Sequence, residues 1–140
     1  MAKQEALAAT GAHEVVVAPD GNFAAGVRSA TGGSGVDAVI DTVGGAVFHA
    51  IRRSVAMGGR IVLVGEVTDT PIELDLAAIY RRGLQIRSAV STSRSQLEMA
   101  LREEGLVTPM VERSMALEDA AEAHRLVEAN AVAGRIVLTP

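Results

Sequence analysis

The sequence has 140 residues, enough for one domain with a substantial hydrophobic core. Hydrophobic residues make up 49% of it and aromatic residues only 2%, so the core must be built mainly from aliphatic side chains. The formal net charge of -4, with no Trp and one Tyr, gives no cationic or stacking surface for nucleic acid. Because Cys is absent, disulfides, cysteine zinc sites and thiol nucleophiles are excluded.

Targeting and membrane signals are not evident in the sequence. No apolar run approaches the roughly 18 residues that cross a bilayer. The opening MAKQEALAAT lacks the apolar segment of a secretory signal peptide. We therefore expect a cytoplasmic protein whose partners include neither nucleic acid nor a membrane. No linker, repeat or low-complexity tract interrupts the chain, which predicts a single domain over residues 1–140.

Short elements are predicted at the start of the chain. A helix is expected over Lys3–Thr10, with Gly11 as its left-handed cap. The β-branched stretch His13–Ala18 predicts a strand that ends at a turn of Pro, Asp and Gly. Asn22–Thr31 predicts a weaker helix, because Gly26 costs roughly 1 kcal/mol relative to Ala.

The stretch from residue 31 to residue 65 organises the chain as a strand, a helix and a second strand. Val36–Val43 is nearly continuous aliphatic sequence, which is typical of a strand covered on both faces. Ala46–Met57 has apolar positions at helical spacing, and the pair Gly58 and Gly59 is expected to end this helix. Arg60–Val64 predicts a second, parallel strand, so the stretch forms a right-handed βαβ unit.

Helices and strands continue to alternate after this unit. Asp75 is expected to cap a helix over Leu76–Arg82. Leu84–Val90 predicts a strand whose polar residues are typical of a sheet edge. The remaining predicted elements are a helix that starts at the capping-box spacing of Ser95 and Glu98 and runs to Glu104, a strand over Met110–Met115, a helix over Leu117–Asn130 and a strand over Arg135–Thr139.

This alternation predicts an α/β fold with a doubly wound, mainly parallel sheet, and such sheets bind ligands at the carboxyl ends of their strands. The glycines Gly44 and Gly65 at two of these ends would let a ligand approach the backbone, but they are explained equally well as turn residues. A GxGxxG fingerprint is absent, since the cluster Gly32–Gly35 precedes a strand instead of following one. The P-loop pattern is absent too.

Neither catalytic residues nor a metal site can be assigned from the polar side chains. His13, His49 and His124 are far apart in sequence and form no HExxH pair. Asp37 and Asp41 bracket a strand and do not face each other across a cleft, so they are not an acid/base pair. We therefore predict that this chain contains no metal ligands and no catalytic groups.

Four segments resemble the carboxyl-terminal part of a medium-chain dehydrogenase/reductase, namely GVDAVIDTVGG, MGGRIVLVG, LEDAAEAHRLVEAN and AGRIVLTP. The likeness is to quinone oxidoreductase-like and zinc-type alcohol dehydrogenase-like members. The resemblance implies a partial Rossmann-like fold together with the C-terminal segment of the family. It also implies that the catalytic domain, the glycine-rich loop and the residue that selects NAD or NADP are missing from this chain.

The resemblance implies that the intact family member transfers hydride between NADP or NAD and a carbonyl, quinone or alkene, and that this chain alone is inactive. The alternative is a non-catalytic dimerisation or nucleotide-binding module. For Arg135 the resemblance implies a place near the pyrophosphate, although a solvated surface charge explains it equally well. The other implied cofactor contacts are the strand ends Thr42, Val43 and Gly44; Val64, Gly65 and Glu66; and Ala89, Val90 and Ser91.

The missing strands have a consequence for assembly. In the family sheet order 3-2-1-4-5-6, Val15 to Val17 would lose its native neighbours, so it is expected to pair with Val36–Val43 or with another chain. Leu84–Val90 matches the last Rossmann strand, which in this family commonly pairs across a two-fold axis. The resemblance therefore implies a homodimer through Leu84–Val90.

Overall fold

The computed structural model describes residues 2–103 and 109–140. The chain divides into two compact units. The sheet unit is Val16–Ser91, and the terminal unit combines Met1–Val15 with Thr92–Pro140. Both contain parallel strands flanked by helices, which confirms the predicted α/β class. The single-domain organisation over residues 1–140 stays a prediction.

The sheet unit contains a three-stranded parallel sheet in the order β1-β2-β3. Its order matches the chain order, as expected for consecutive crossover connections through helices. Helix α1 (Ala2–Ala8) belongs to the terminal unit, so numbering of the helices here starts at α2. The elements are α2 (Ala24–Ala30), β1 (Val36–Asp41), a 3₁₀ turn (Gly45–Val47), α3 (Phe48–Ser54), β2 (Val55–Leu63), α4 (Leu76–Arg82) and β3 (Gln85–Ser88).

The core of the sheet unit lies between α3 and the sheet. Phe48 and Ile51 on α3 pack with Val55, Ile61 and Leu84, and all five side chains are buried. Fully burying a side chain of this size stabilises the fold by about 1.5–3 kcal/mol. The core is aliphatic apart from Phe48, in line with the composition. Helix and sheet are therefore held together on the face that α3 covers.

Helix α3 ends earlier than predicted, so the predicted end at Met57 is wrong. Its last residue is Ser54, and Val55 is already extended and paired with Val36 of β1. Gly58, expected to cap the helix, lies instead within β2 with a φ of +72°, where the register between the two strands shifts. The register shift uses the conformational freedom of glycine, because an irregular strand position at positive φ is strained for other residues.

Strand β1 is less covered than its aliphatic sequence predicts. Ile40 is 73% exposed, so the expectation of burial on both faces is wrong for the sheet unit by itself. The stretch His13–Ala18 is not a strand, and among the described residues β1 pairs only with β2. The predicted pairing of Val15 to Val17 with this strand is therefore wrong, and its pairing with another chain stays a prediction.

Helix α4 and strand β3 agree with the sequence. The Asp75 carboxylate accepts the N–H of Ala78 at 3.0 Å, and Gly83 ends the helix with a φ of +60°. Strand β3 lies at an edge of the described sheet, as its polar residues predicted. Local capping and turn signals were sufficient to predict this helix, because Asp75 and Gly83 act directly at its two ends.

The terminal unit holds a two-stranded parallel sheet and three helices in its described residues. The predicted capping box at Ser95 and Glu98 is wrong: Ser93 accepts the N–H of Gln96 at 3.2 Å, while the Gln96 side chain accepts the N–H of Ser93 at 2.8 Å. The predicted end of that helix, Glu104, lies outside the described residues. The elements are α1 (Ala2–Ala8), α5 (Arg94–Arg102), β4 (Val111–Ala116), a 3₁₀ turn (Leu117–Asp119), α6 (Ala120–Glu128) and β5 (Arg135–Thr139).

Among the described residues, none of the helices has the length and apolarity needed to cross a membrane.

Candidate functional site

The carboxyl ends of the three parallel strands form one row at an edge of the sheet unit. Asp41 at the end of β1 pairs with Leu63 of β2, which pairs in turn with Ser88 of β3. The structure thus brings nine of the ten candidate cofactor contacts to this edge, whereas Arg135 belongs to the terminal unit. The nine are Thr42, Val43, Gly44, Val64, Gly65, Glu66, Ala89, Val90 and Ser91.

The turn after β1 is organised by Asp41, whose sequence context predicts no binding or catalytic role. Its side chain is only 2% exposed, and Oδ1 accepts the N–H groups of Val43 at 2.9 Å and Gly44 at 3.0 Å. The second oxygen, Oδ2, is buried and has no partner among the described residues. A buried acceptor without a donor costs about 1–3 kcal/mol, so a ligand or water that donates to it would be stabilised here. The signal in the sequence was an Asp at the end of an aliphatic strand.

Glu66, which follows β2, links the ends of β1 and β2. Its Oε2 accepts the N–H of Gly45 at 2.7 Å, and its Oε1 accepts the N–H and the hydroxyl of Thr68, both at 2.9 Å. The Gly45 N–H, followed by the Thr68 donors, lowers the pKa of Glu66 from 4.5 to about 2. The carboxylate is therefore ionised at neutral pH, and it forms a fixed negative charge at the strand ends.

A mainly apolar cavity of about 330 Å³ opens beside Glu66. This volume is at the lower end of the range for small-molecule sites. Three of the candidate contacts line it, Gly44, Gly65 and Glu66; the other six at this edge are exposed residues outside its lining. The remaining lining residues are Gly45, Phe48, Leu63, Thr70, Ile72, Leu74 and Ile86.

The glycines at this edge lie close against other segments of the chain. Gly44 has a φ of +91°, and a Cβ there would overlap the Glu66 carboxylate. A Cβ at Gly45 would overlap the Thr70 carbonyl group, and one at Gly65 would lie 3.0 Å from the Thr42 carbonyl oxygen. These contacts account for the glycines without a ligand, because other segments of the same chain occupy the space beside them.

Arg135 begins β5 in the terminal unit, and its residue is exposed. Its backbone N–H donates to the Met110 carbonyl oxygen at 2.7 Å, which fixes the start of the strand. The side chain borders a second depression, together with His124 and Val127. An exposed guanidinium fits both a solvated charge and a pyrophosphate contact, so the cofactor role of Arg135 stays a prediction.

Comparison with known proteins assigns the family. A family model described as zinc-binding dehydrogenase matches residues 10–138. The chain belongs to this family. This confirms the resemblance to the carboxyl-terminal part of the medium-chain dehydrogenase/reductases.

Individual relatives agree with this assignment. Acryloyl-coenzyme A reductase of Sulfurisphaera tokodaii is 32% identical over 108 residues, or 75% of this chain and 32% of that protein. A crystal structure of an NAD-dependent alcohol dehydrogenase has a TM-score of 0.85 and 37% identity, covering 98% of this chain and 40% of that one. A mycobacterial protein solved in complex with NADPH has a TM-score of 0.75 and 29% identity, covering 100% of this chain and 48% of its own. The chain thus spans about a third of the curated relative and less than half of either structure.

The family description implies zinc, but the described residues do not fit a zinc site. No group of three or more His, Asp or Glu side chains in residues 2–103 and 109–140 is arranged to hold a metal ion. Three or four such ligands around one point are what zinc requires. We therefore assign no zinc-dependent step to the residues of this chain.

Proposed function

We propose that this chain supplies the nicotinamide-facing part of the cofactor site in an NAD(P)-dependent oxidoreductase. The observation that carries the proposal is the cavity of about 330 Å³ at the aligned strand ends, lined by Gly44, Gly65 and Glu66. Parallel α/β sheets bind ligands at this edge. The family of the chain, and its similarity to a protein solved with NADPH, support the same assignment.

The charge and polarity of the cavity favour one end of the cofactor. Its wall is largely apolar, which suits a planar ring, and the ionised Glu66 at its border repels a pyrophosphate. The nicotinamide end therefore fits this cavity better than the phosphate end. The nicotinamide group supplies hydride transfer when it is bound. The residues of this chain would orient the ring and exclude water from one side of it.

The substrate proposed for the intact enzyme is a carbonyl, a quinone or an activated alkene. The alkene option has additional support, because the relative from Sulfurisphaera tokodaii is called an acryloyl-coenzyme A reductase. We assign no acid or base to this chain, and we expect it to have no turnover by itself. We assign no residue of this chain to the choice between NAD and NADP. We further infer that the protein is cytoplasmic.

We also propose a homodimer through the edge strand β3, within the predicted segment Leu84–Val90. Among the described residues β3 has β2 as its single strand neighbour, so its other edge carries free backbone N–H and C=O groups. Pairing of two identical edges around a two-fold axis would satisfy them. Val90, just beyond the strand, is an exposed aliphatic residue that could be covered at the same time.

A calorimetric titration of the 140-residue chain with NADH and then NADPH tests the cofactor site. Leu74 lines the cavity and is 43% exposed, so Leu74→Trp fills cavity space with little risk to the fold. The matched control is Leu76→Trp, because Leu76 is 71% exposed and lies outside the lining. We expect saturable binding that Leu74→Trp weakens at least about tenfold while Leu76→Trp leaves it unchanged. No heat with either cofactor at millimolar concentration would contradict the proposal, and so would equal affinities for the two variants.

A further inference from the structure

The edge of the sheet opposite the strand carboxyl ends concentrates positive charge. Helices α2, α3 and α4 each lead into the following strand, so their carboxyl ends all lie at the amino-terminal edge of the sheet. Arginine occupies the last turn of every one of these helices. The five residues are Arg28 on α2, Arg52 and Arg53 on α3, and Arg81 and Arg82 on α4.

Three of these arginines border one open cleft of about 530 Å³, which we name the arginine cleft. This cleft is separate from the cavity beside Glu66, since the two share no lining residue. The lining residues are Asn22, Ala24, Ala25, Arg28, Arg53 and Arg82.

Hydrogen bonds hold two of the guanidinium groups against the backbone. Arg82 donates to the carbonyl oxygen of Arg52 at 2.7 Å and to that of Val55. Arg28 donates through Nε to the Arg53 carbonyl oxygen at 2.8 Å and through Nη1 to Gly33 at 2.6 Å. These bonds fix both groups in place. Because a guanidinium has five N–H donors, each group still has donors left for a ligand.

Arg53 is the least committed of the three arginines. Its Nη2 donates to the Asn22 side-chain oxygen at 2.8 Å, which is the one side-chain hydrogen bond assigned to it among the described residues. Asn22 in turn donates its backbone N–H to the Asp20 carboxylate at 3.0 Å. Asp20 is the carboxylate nearest in sequence to the residues that line the cleft, and it already accepts this hydrogen bond from the backbone.

The positive charge of the arginine cleft is not balanced within the described residues. None of Arg28, Arg53 and Arg82 forms an ion pair there, and no Asp or Glu lines the cleft. Each helix carboxyl end carries about half a negative charge, so three ends offset only about half of three guanidinium charges. Burial, followed by repulsion from Arg28 and Arg52, lowers the pKa of Arg82. This repulsion is what an anion in the cleft would relieve.

We propose that the arginine cleft binds the phosphate group of a small anionic ligand. Planar guanidinium forks are suited to tetrahedral oxyanions because two parallel N–H groups can bind two oxygens. A phosphate dianion matches the excess charge, and the volume leaves room for a small organic group attached to it. The cleft is at the opposite edge from the proposed nicotinamide cavity, so it would bind a second ligand.

The test is a titration of the 140-residue chain with inorganic phosphate, followed by residue-resolved amide NMR shifts. We expect saturable shifts at Asn22, Ala24 and Ala25, without shifts at Gly45 and Gly65 beside the nicotinamide cavity. Arg53→Gln should weaken phosphate binding about tenfold, because it removes charged donors at low risk to the fold. The control Arg81→Gln removes the same charge from an exposed residue that does not line the cleft, and it should have less than a twofold effect.

Several outcomes would overturn this proposal independently of the nicotinamide site. These are an absence of saturation, shifts confined to Gly45 and Gly65, or equal weakening by the two variants, since equal weakening indicates general screening. A second arm uses vesicles of phosphatidylcholine mixed with phosphatidic acid. Co-sedimentation of the chain with these vesicles, without binding of free phosphate, would also overturn the proposal in favour of a lipid surface. Binding of NADH, measured by calorimetry, reports on the other edge of the sheet. Its presence or absence does not decide whether the arginine cleft binds phosphate.

Discussion

The Glu66 carboxylate accepts the backbone N–H of Gly45 at 2.7 Å, and this hydrogen bond connects the segments that follow β1 and β2. The two residues are 21 positions apart in sequence. On the Glu66 side, Thr68 supplies two further donors to the same carboxylate, so the loop after β2 is also held to it. One ionised side chain thus fixes two of the three strand ends that border the proposed cofactor cavity.

Stability against acid should depend on Glu66. The pKa of Glu66 is lowered from 4.5 to about 2, so the carboxylate stabilises the folded state fully above pH 4.5. This contribution is lost as the pH falls from about 4.5 to about 2. We expect the urea midpoint of Glu66→Gln to fall less steeply than that of the wild type across this window.

The matched control for acid stability is Glu73→Gln, an exposed carboxylate later in the same loop. It removes the same charge from the same loop, so a midpoint at neutral pH close to that of the wild type would exclude a general effect of net charge. Parallel curves for the wild type and Glu66→Gln would show that the Gly45 and Thr68 hydrogen bonds do not stabilise the folded chain.

Gly44→Ala should be strongly destabilising. Gly44 has a φ of +91° and a ψ of -142°, a region nearly restricted to glycine, and the new Cβ would also displace Glu66. We expect a loss of about 3 kcal/mol or more in the free energy of unfolding, measured by urea denaturation. Gly33→Ala separates strain at positive φ from overlap, because Gly33 has a closely matching φ of +88° with no neighbouring atoms within 4 Å. It should cost only about 1–2 kcal/mol, and an equal loss for both variants would contradict the packing argument.

Elements that depend on local signals were predicted more accurately from the sequence than elements that depend on distant partners. The helix capped by Asp75 and ended by Gly83 was predicted correctly because both signals act within the helix itself. The end of α3 was predicted incorrectly, because pairing of Val55 with Val36 starts the next strand before the glycine pair is reached. Strand pairing is a long-range contact that overrides local cap preference.

For the candidate site, the positions at the strand ends could be predicted from the sequence, whereas the contacts between its loops could not. Strand ends can be located from sequence, and parallel topology then places Gly44, Gly65 and Glu66 at one edge. The buried acceptor of Asp41 and the bond from Glu66 to Gly45 could not be found in this way, because they depend on the conformation of two separate loops. The arginine cleft was missed for the same reason, since its side chains come from three helices.

Two isoleucines on neighbouring strands test the unequal burial of the sheet. Ile61 on β2 is fully buried, whereas Ile40 on β1 is 73% exposed. We expect Ile61→Ala to lower the free energy of unfolding by about 2–5 kcal/mol. Ile40→Ala should change it by less than about 0.5 kcal/mol. A large loss for Ile40→Ala in urea denaturation would mean that another element covers β1 in solution.

The homodimer proposed through β3 is testable by light scattering at micromolar concentration. We expect the mass of a dimer. Ile86→Pro lies within β3 and removes a backbone donor, so it should shift the mass towards the monomer. Circular dichroism on the same sample checks that the variant is folded. A wild-type chain that is monomeric in this range would contradict pairing through Leu84–Val90.

The charge of Glu66 should influence which oxidation state of the cofactor binds. Oxidised nicotinamide carries a positive ring and reduced nicotinamide is neutral, while Glu66 is ionised at neutral pH because its pKa is about 2. A carboxylate beside the proposed ring position therefore favours the oxidised form. Because Glu66 is exposed, the effect should be small, roughly two- to fivefold in the ratio of the two dissociation constants.

Calorimetric titrations of wild type and Glu66→Gln with both NAD⁺ and NADH measure this ratio. We expect the variant to lose affinity for NAD⁺ more than for NADH, and the difference to shrink at high salt, which screens exposed charges. The ratio cancels any general loosening of the loop, since both forms bind the same cavity. An unchanged ratio would place the ring away from Glu66, even if both cofactors bind the chain.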